Sequence, residues 1–531
     1  MLKHPQTIRR TGDDGGRVFT VEPIIDSGKQ LTNSIESKAY TFDEALDIVG
    51  FGRTGWQVFL ASTLTMLTVI NETMGISIIV PAAQCDLSLT AVDKGMLTGV
   101  SFAGIILTSH FWGYMADTKG RKVVNVLSLA LTSVCSLVSS VAVNFTTIVV
   151  LRLLVGMCIS APSATIYAYL GEFTRTEKRT MVISFASIAV GLSYIYTAAL
   201  GWLVLSFDWR FELWDLFEFR PWRLLVILYS LPGTIATFWM LFLPESPRFY
   251  LSQGRDDLTL EILQKMYLEN HPKATPEQFA VKRFIPEADV KEMGIQSNGI
   301  SGVLESIWNQ TVPLFKRPNL FYFTVCCTLQ FGMFFVSAGM GLWYPEIINR
   351  VTSINQSDSA TICELLEGVH TPDEDLVSHD TDECSDHVTQ DVFVYVLVLG
   401  SIYTFLYLVS SAMLHKISRG SILFFNLFIS GASGVMLLFI NDPYLVMILF
   451  CSFVVFAGIS ISLVNGIAVT LFPTNVRAMA VCLSLMMGRL GSVAGTNLIG
   501  LIMENNCLTT FIIFAICSLV GAALTRTLPS R

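Results

Sequence analysis

Charged side chains are scarce in this sequence, since Asp, Glu, Lys and Arg make up only 14% of its 531 residues. Soluble globular proteins carry about 25% charged residues, so the charge needed to solvate the surface of such a protein is missing. The composition excludes a soluble enzyme, a disordered scaffold and a nucleic-acid-binding protein.

Several chemical signatures are also missing. The sequence has no phosphate-binding glycine loop, no nucleophile elbow and no regular metal-ligand spacing. Acids, Cys and His mix irregularly over Asp380–His387, which is typical of a solvated acidic loop. Without a Walker sequence an ATP-driven pump is disfavoured. We therefore expect no enzyme activity, no cofactor and no metal.

Long hydrophobic blocks are what the sequence contains instead. Each of twelve blocks has the roughly 20 residues that a helix needs to cross a hydrocarbon core of ~30 Å. The blocks must be helical because lipid offers no partner for backbone N–H and C=O groups. The fold class expected is an all-α membrane protein with twelve transmembrane helices. The predicted spans are 56–80, 95–115, 123–143, 147–169, 181–205, 222–243, 320–343, 392–414, 420–440, 444–471, 478–503 and 508–526.

Lys and Arg are concentrated in alternate short loops. These residues are Lys119, Arg121, Lys122, Arg175, Lys178, Arg179, Lys416, Arg419 and Arg477. The intervening loops have few bases, although loop 5–6 contains Arg210 and Arg220 among four acids. By the positive-inside rule both termini are cytoplasmic. The first 55 residues are polar, so we expect a cytoplasmic tail over 1–55 without a cleavable signal peptide.

Two long loops divide the chain. Residues 244–319 are a mixed-charge cytoplasmic linker with a helix-like stretch at Leu258–Leu268, and they separate six spans (56–243) from six (320–526). Residues 345–391 form an outer loop with twelve acids and one base. Residues 527–531 are a C-terminal tail.

The outer loop contains two modification candidates. Asn355 lies in a suitable setting for glycosylation. Cys363 and Cys384 are a candidate disulfide in an oxidising compartment. Cys85 and Cys507 also lie near the outer face, so other pairings stay open.

Charges inside spans indicate functional positions, because each costs about 2.5–3.5 kcal/mol near mid-membrane. Glu72, beside Asn71, is a candidate to bind a proton or a cationic substrate, or to pair with Arg152. Arg152 is either a proton-relay or anion-binding residue or an outer-end side chain that extends to the interface. Arg489 either faces a cavity or pairs with Glu504. His110 is interpreted as a packed helix residue.

Aromatic and amide side chains in the spans are candidates to line a substrate cavity, where rings offer stacking and cation–π contacts. The alternative for the aromatic residues is the interfacial belt that Trp and Tyr form in membrane proteins. The candidates are Tyr194, Tyr196, Trp202, Gln330, Phe334, Trp343, Tyr344 and Asn465.

A charged turn lies between spans 2 and 3 and reads Gly113-Tyr-Met-Ala-Asp117-Thr-Lys-Gly120-Arg121-Lys122. Gly113 is expected to allow close helix approach and Gly120 the turn. Asp117 is expected to accept hydrogen bonds at a neighbouring helix N-terminus. Such a cluster can hold two helices together in one conformation, so we interpret it as a gating motif. A weak internal repeat relates Glu172–Arg179 to Thr470–Arg477, 298 residues later.

These segments resemble the signatures of the major facilitator superfamily. The charged turn is similar to its loop 2–3 motif, and Arg152-Leu-Leu-Val-Gly156 to its fourth-helix motif. Pro244-Glu245-Ser-Pro-Arg248-Phe249 and Pro473-Thr-Asn-Val-Arg477-Ala478 resemble motifs of its sugar-porter and organic-ion branches. Gly50–Trp56, Lys94–Leu97, Asp208–Trp222 and Gly341–Pro345 resemble the synaptic vesicle glycoprotein two and related-protein group.

The resemblance implies two six-helix bundles that rock around a midplane substrate site. It implies a secondary transporter of a small organic solute, an organic ion or a sugar-like molecule, with proton coupling through Glu72 as an option. It further implies a monomer in the plasma membrane or an intracellular vesicle. The alternative is a transport-inactive vesicle regulator or receptor. Glu172, Arg179, Glu245, Arg248 and Arg477 are the further gating candidates that the resemblance implies.

Departures from the family pattern affect both halves. Val69 stands where an Asp is common, Arg175 where Pro is usual, and Thr470 where Glu is usual. The second-half copy of the charged turn, His415–Gly420, has no acid.

Overall fold

The computed structural model describes residues 39–207, 209–213, 217–285, 308, 311–353, 363, 388–413, 417–472, 474–503 and 506–528. Asn355, Cys384, Glu504 and the side chain of Arg477 lie outside what is described. Glycosylation of Asn355 therefore stays a prediction.

The first half of the chain forms a group of helices that we call the N bundle (α2–α9), preceded by the short helix α1 (Phe42–Val49). The helices of the bundle are α2 (Arg53–Met74), α3 (Ile76–Ala83), α4 (Ala91–Lys119), α5 (Arg121–Ser139), α6 (Phe145–Glu172), α7 (Thr176–Ala186), α8 (Ala189–Leu205) and α9 (Pro221–Phe242). Helices α2 and α3 together form the first span, and α7 and α8 the fifth.

The second half forms the C bundle (α12–α17), which follows the linker helices α10 (Pro247–Ser252) and α11 (Asp256–Asn270). Its helices are α12 (Asn319–Ser353), α13 (Gln390–Met413), α14 (Arg419–Met436), α15 (Pro443–Leu471), α16 (Thr474–Ile502) and α17 (Cys507–Thr525).

Each predicted span has a helical counterpart in the described residues. Within the described ranges, ten helical segments are long and apolar enough to cross a membrane. The fifth span contributes a shorter apolar helix, Ala189–Leu205, because the preceding helix ends at Ala186. The ninth is Arg419–Met436, with 18 residues. The all-α membrane fold expected from the sequence is therefore confirmed.

Two spans differ from their predicted form. The first is interrupted at Gly75, where an added Cβ would lie 2.8 Å from the Tyr229 ring, and Pro81 follows within α3. Proline lacks the N–H of a regular helical hydrogen bond, which favours bending there. The seventh span continues as α12 to Ser353, so the first residues expected in the outer loop are helical.

The linker packs against the chain just before the first span. Ala39–Tyr40 (β1) pairs in parallel with Arg283–Phe284 (β4). Asn270 of α11 donates hydrogen bonds to the carbonyls of Val49 and Gly50, and Thr54 donates to Glu269 over 2.6 Å. The helix expected at Leu258–Leu268 is confirmed as α11, whereas the contact with α1 was not predicted.

An aromatic hairpin covers the opposite end of the N bundle. Phe211–Leu213 (β2) pairs antiparallel with Phe217–Phe219 (β3). Behind it, Asp86 accepts hydrogen bonds from Trp222 Nε1 and Arg223 Nη2, both over 3.0 Å. We call this end, where α12 ends and α13 begins, the acidic side, after the acids that the sequence has between these two helices. The end that carries Lys119–Lys122 and Arg175–Arg179 is the basic side.

The disulfide on the acidic side differs from the predicted pair. Cys363 is bonded to Cys507, the first residue of α17, across 144 positions of sequence. The predicted Cys363–Cys384 pairing is therefore wrong. Sequence spacing favoured a partner in the same loop, whereas the fold brings the end of the α16–α17 connection beside Cys363. Cys85 is disulfide-bonded as well.

The two bundles meet through small residues. A Cβ on Gly95 would lie 2.9 Å from the carbonyl oxygen of Thr496, so α4 and α16 approach closely there. A Cβ on Gly400 would lie 2.8 Å from the carbonyl oxygen of Gly191, so α8 and α13 approach equally closely. Small residues are what allow such contacts between membrane helices. These contacts lie between the middle of the spans and the acidic side.

Candidate substrate and gating sites

Glu72 and Arg152 form a buried ion pair inside the N bundle. Arg152 Nη1 lies 3.0 Å from Glu72 Oε2, and both residues are almost fully buried. Ser136 donates to Glu72 Oε2 over 3.0 Å, and Arg152 Nη2 donates to Ser139 over 2.9 Å. The interpretation of Arg152 as a side chain that extends to the interface is therefore wrong, because it points inward to a carboxylate.

This ion pair is not fully satisfied. Glu72 Oε1 and Arg152 Nε have no hydrogen-bond partner among the described residues. Asn71, beside Glu72, accepts a hydrogen bond from Ser193 of α8, and its Nδ2 also lacks a described partner. Buried polar atoms without partners are costly, so the site has spare capacity for a proton, a water or a ligand.

Arg489 links the two bundles. From α16 it donates through Nη1 to Ser109 of α4 over 3.0 Å and through Nη2 to Ser163 of α6 over 2.8 Å. The predicted pairing of Arg489 with Glu504 stays a prediction, because Glu504 lies outside the described residues. His110, next to Ser109, is exposed.

Three of the aromatic candidates contact neighbouring helices, and one lies at the surface. Tyr194 stacks on Tyr403 of α13 with ring centroids 5.4 Å apart, which joins the bundles. Tyr196 donates to the carbonyl of Leu228 within the N bundle over 2.8 Å. Trp343 is buried and donates to the carbonyl of Thr496 over 3.0 Å, so it is not an interfacial-belt residue. Trp202 is 38% exposed.

The amide candidates of the C bundle contact each other. Gln330 Nε2 donates to Asn465 Oδ1 over 2.7 Å, and Gln330 Oε1 has no partner in the described part of the chain. Phe334 lies against Gly488, one residue before Arg489.

A second buried ion pair, which joins the two bundles, was not predicted. Lys94 of α4 contacts Glu346 of α12, and both side chains are at most 7% exposed. Gln84 and Arg350 complete the cluster, with distances of 2.7 Å to Lys94 Nζ and 3.0 Å to Glu346 Oε1. The sequence contained two signals for this pair. Lys94 is the only base in its predicted loop, and Glu346 directly follows Pro345.

The charged turn on the basic side is arranged differently from the prediction. Glu245 accepts hydrogen bonds from the backbone N–H of Lys122 over 2.9 Å and of Val123 over 3.3 Å, so it caps α5. Asp117 instead pairs with Arg121 over 3.1 Å. The capping role expected of Asp117 therefore belongs to Glu245, because the linker returns to the start of α5.

The two glycines of the turn also differ. Gly120 has φ +106° and lies against the Glu245 carboxylate, so no side chain fits there. Gly113 has no described neighbour within 4 Å of an added Cβ. The close approach expected at Gly113 is therefore wrong, since that position faces open space.

The remaining gating candidates of the N bundle surround the same turn. Arg121 Nε lies 3.2 Å from Glu172 Oε1, and Arg179 Nε donates to the carbonyl of Gly171 over 3.0 Å. The Arg248 guanidinium lies 5.9 Å from the Phe42 ring of α1. Arg477 lies in the first turn of α16, and its gating role stays a prediction.

A separate apolar cavity of about 250 Å³ lies within the C bundle between α12, α14 and α17. Its lining includes Phe331, Leu427 and Ile513 and none of the predicted site residues. It offers no charged group, so it does not correspond to the polar interface between the bundles.

Together, the ten membrane-length helices of the described residues, the shorter helices of the fifth and ninth spans, and the polar contacts between the two bundles define a multi-pass membrane protein with the major facilitator fold. Residues 48–363 match the family model described as sugar (and other) transporter. The chain belongs to this family, which confirms the superfamily predicted from the sequence motifs.

Curated relatives belong to the group that the sequence resembles. Synaptic vesicle glycoprotein 2B of Rattus norvegicus is 27% identical over 327 residues, which cover 59% of this chain and 48% of the relative. Synaptic vesicle glycoprotein 2A of Homo sapiens is 24% identical over 348 residues, which cover 62% of this chain and 46% of the relative. The chain thus spans about half the length of the curated relatives that it matches.

Solved structures agree on the fold. The partially occluded inward-open xylose transporter XylE of E. coli superimposes with a TM-score of 0.62 at 12% identity, covering 90% of this chain and all of that one. A crystal structure of a D-xylose–proton symporter gives a TM-score of 0.59 at 13% identity, covering 90% and 98%.

Proposed function

We propose that this protein is a secondary transporter of a small organic solute, coupled to protons through Glu72. The observation that carries the proposal is the buried Glu72–Arg152 pair, whose carboxylate keeps one oxygen without a described partner. A carboxylate that pairs with an arginine through one oxygen and keeps the other without a described partner can take up a proton and release the arginine. The names of the solved neighbours, a xylose transporter and a proton symporter, support the proposal.

The mechanism is alternating access by rocking of the two bundles. The contacts between them at Gly95, Gly191 and Arg489 lie from mid-span to the acidic side, which describes a state closed on that side. Opening that side requires these contacts and the Lys94–Glu346 pair to separate. A solute drives the exchange only by its differential affinity for the two states.

The change Glu72→Gln tests proton coupling. Glutamine keeps an acceptor for Ser136 and Arg152 but cannot cycle a proton. In proteoliposomes we expect a pH gradient to drive solute accumulation by the unchanged protein and not by the variant, while solute-for-solute exchange continues in both. The solute is first identified by screening labelled sugars and organic ions.

Glu277→Gln is the matched control, since it removes a carboxylate that is exposed in the linker. It should accumulate solute as the unchanged protein does. Equal gradient-driven accumulation by the Glu72→Gln variant would dismiss the coupling role.

A second candidate is a transport-inactive regulator or receptor in a vesicle membrane. The names of the curated relatives and the outer loop with its twelve acids favour it. Uptake into proteoliposomes discriminates between the two, because a transport-inactive receptor is also stabilised by a bound solute but does not carry it across the membrane. We propose cytoplasmic termini, a monomer, and either the plasma membrane or a vesicle as its location.

A further inference from the structure

Arg489 is a cation at the centre of the membrane. It lies 15 residues from the start of α16 and 13 from its end, which is about 20 Å from either end at 1.5 Å per residue. Arg489, Ser109 and Ser163 are all half-buried, so part of each residue remains accessible. A charge at this depth requires compensation.

The partners of Arg489 carry no charge. Arg152, Arg223 and Lys94 each contact a carboxylate, whereas the described partners of Arg489 are two serine hydroxyls. A guanidinium has five N–H donors, and two of them are used here. The positive charge and three donors are therefore available.

The acidic residues on the helices around Arg489 have other partners. On α4, the Asp93 carboxylate accepts hydrogen bonds from the backbone N–H and the hydroxyl of Thr90, and Asp117 pairs with Arg121. On α6, Glu172 also contacts Arg121, and on α12, Glu346 contacts Lys94. Each lies near a helix end, so within the described residues no acid neutralises Arg489.

We infer that Arg489, Ser109 and Ser163 bind the anionic group of the transported solute, so that the substrate class is small organic anions with a carboxylate or phosphate. The inference rests on the proposed transport function. A guanidinium binds such groups through paired hydrogen bonds. Because the guanidinium belongs to the C bundle and the hydroxyls to the N bundle, an anion here contacts both and favours their closure.

The test uses matched sets of probes on the purified full chain. Benzoate, benzamide and benzylamine share an aromatic ring, and glucuronate, glucose and glucosamine share a pyranose ring, so that charge is the main difference within a set. Thermal unfolding is measured with each probe, and with chloride and inorganic phosphate. We expect stabilisation by the anionic member of at least one set.

Three variants locate the site. Arg489→Gln should raise the apparent Kd for that anion by about tenfold or more, as expected for loss of charge-assisted hydrogen bonds. The double variant Ser109→Ala, Ser163→Ala keeps the charge and should weaken binding less. Lys273→Gln removes an exposed positive charge of the linker and should change nothing.

Several outcomes overturn the inference. These are stabilisation only by neutral or cationic probes, equal anion binding by the Arg489→Gln variant, no stabilisation by any anion, and stabilisation by chloride or inorganic phosphate only. Proteoliposome uptake separates this from the proposed function. Uptake of a neutral solute overturns the anion class alone, whereas anion binding without any uptake overturns transport alone.

Discussion

At the scale of single residues, Gly120 shows how one missing side chain positions a carboxylate. Its positive φ and its contact with Glu245 both exclude a Cβ. Gly113, seven residues earlier in the same segment, has open space around it. The two glycines therefore allow a matched comparison of the same substitution.

We expect Gly120→Ala to lower the melting temperature, because the methyl group strains the backbone and displaces Glu245 from the N-terminus of α5. Loss of a helix cap costs about 0.5–2 kcal/mol. Gly113→Ala should be neutral or slightly stabilising, since Ala favours helix over Gly by about 1 kcal/mol. Thermal unfolding of both variants in detergent measures this, and equal melting temperatures would contradict the assignment of Glu245 as the cap.

Sequence reasoning identified Glu72, Arg152 and Arg489 because a charge within an apolar span is conspicuous. It did not identify Ser109 or Ser163, since hydroxyls are common in membrane helices and can bond to their own backbone. It assigned the cap of α5 to Asp117 instead of Glu245, because spacing cannot distinguish a neighbouring acid from one more than a hundred residues away.

At the scale of elements, the disulfide joins the loop after α12 to the start of α17. Disulfides stabilise folded proteins by about 2–4 kcal/mol, mainly by restricting the unfolded chain. We expect Cys363→Ser and Cys507→Ser to lower thermal stability equally, and the double variant to be no worse than either. Cys482→Ser, which removes an exposed free thiol, is the control.

Peptide mass spectrometry without reduction reads the pairing directly. A peptide that joins Cys363 to Cys507 is the expected product. Detection of Cys363 bonded to Cys384 instead would restore the pairing inferred from the sequence and refute the one in the structure.

Helices were easier to predict than their contacts. The twelve spans follow from hydrophobic length, whereas the break after Ala186 has no strong signal and the extension of α12 to Ser353 passes through Pro345. The packing of α1 on α11 joins segments more than 200 residues apart, which local patterns do not encode.

At the scale of the whole molecule, the Lys94–Glu346 ion pair connects the two bundles on the acidic side. Removing one partner of a buried ion pair leaves the other charge buried without a partner. This strongly destabilises the conformation in which that charge is buried. We expect Glu346→Gln to shift the protein toward opening on that side, because Lys94 then becomes hydrated.

Spin labels at Val92 of α4 and Tyr444 of α15, both exposed, report this opening as a longer distance. They are introduced through unnatural amino acids so that the native cysteines stay unchanged. Glu218→Gln, in the aromatic hairpin of the N bundle, is the control. An unchanged distance distribution in the Glu346→Gln variant would show that the pair does not hold this side closed.

The Cys363–Cys507 bond also bears on which way the molecule sits. Cytosolic glutathione keeps thiols reduced, so structural disulfides persist in lumens, in the periplasm or outside cells. The Cys363–Cys507 bond therefore predicts that its end of the protein faces away from the cytosol. That direction agrees with the one obtained by counting lysines and arginines, although redox chemistry and membrane insertion are unrelated processes.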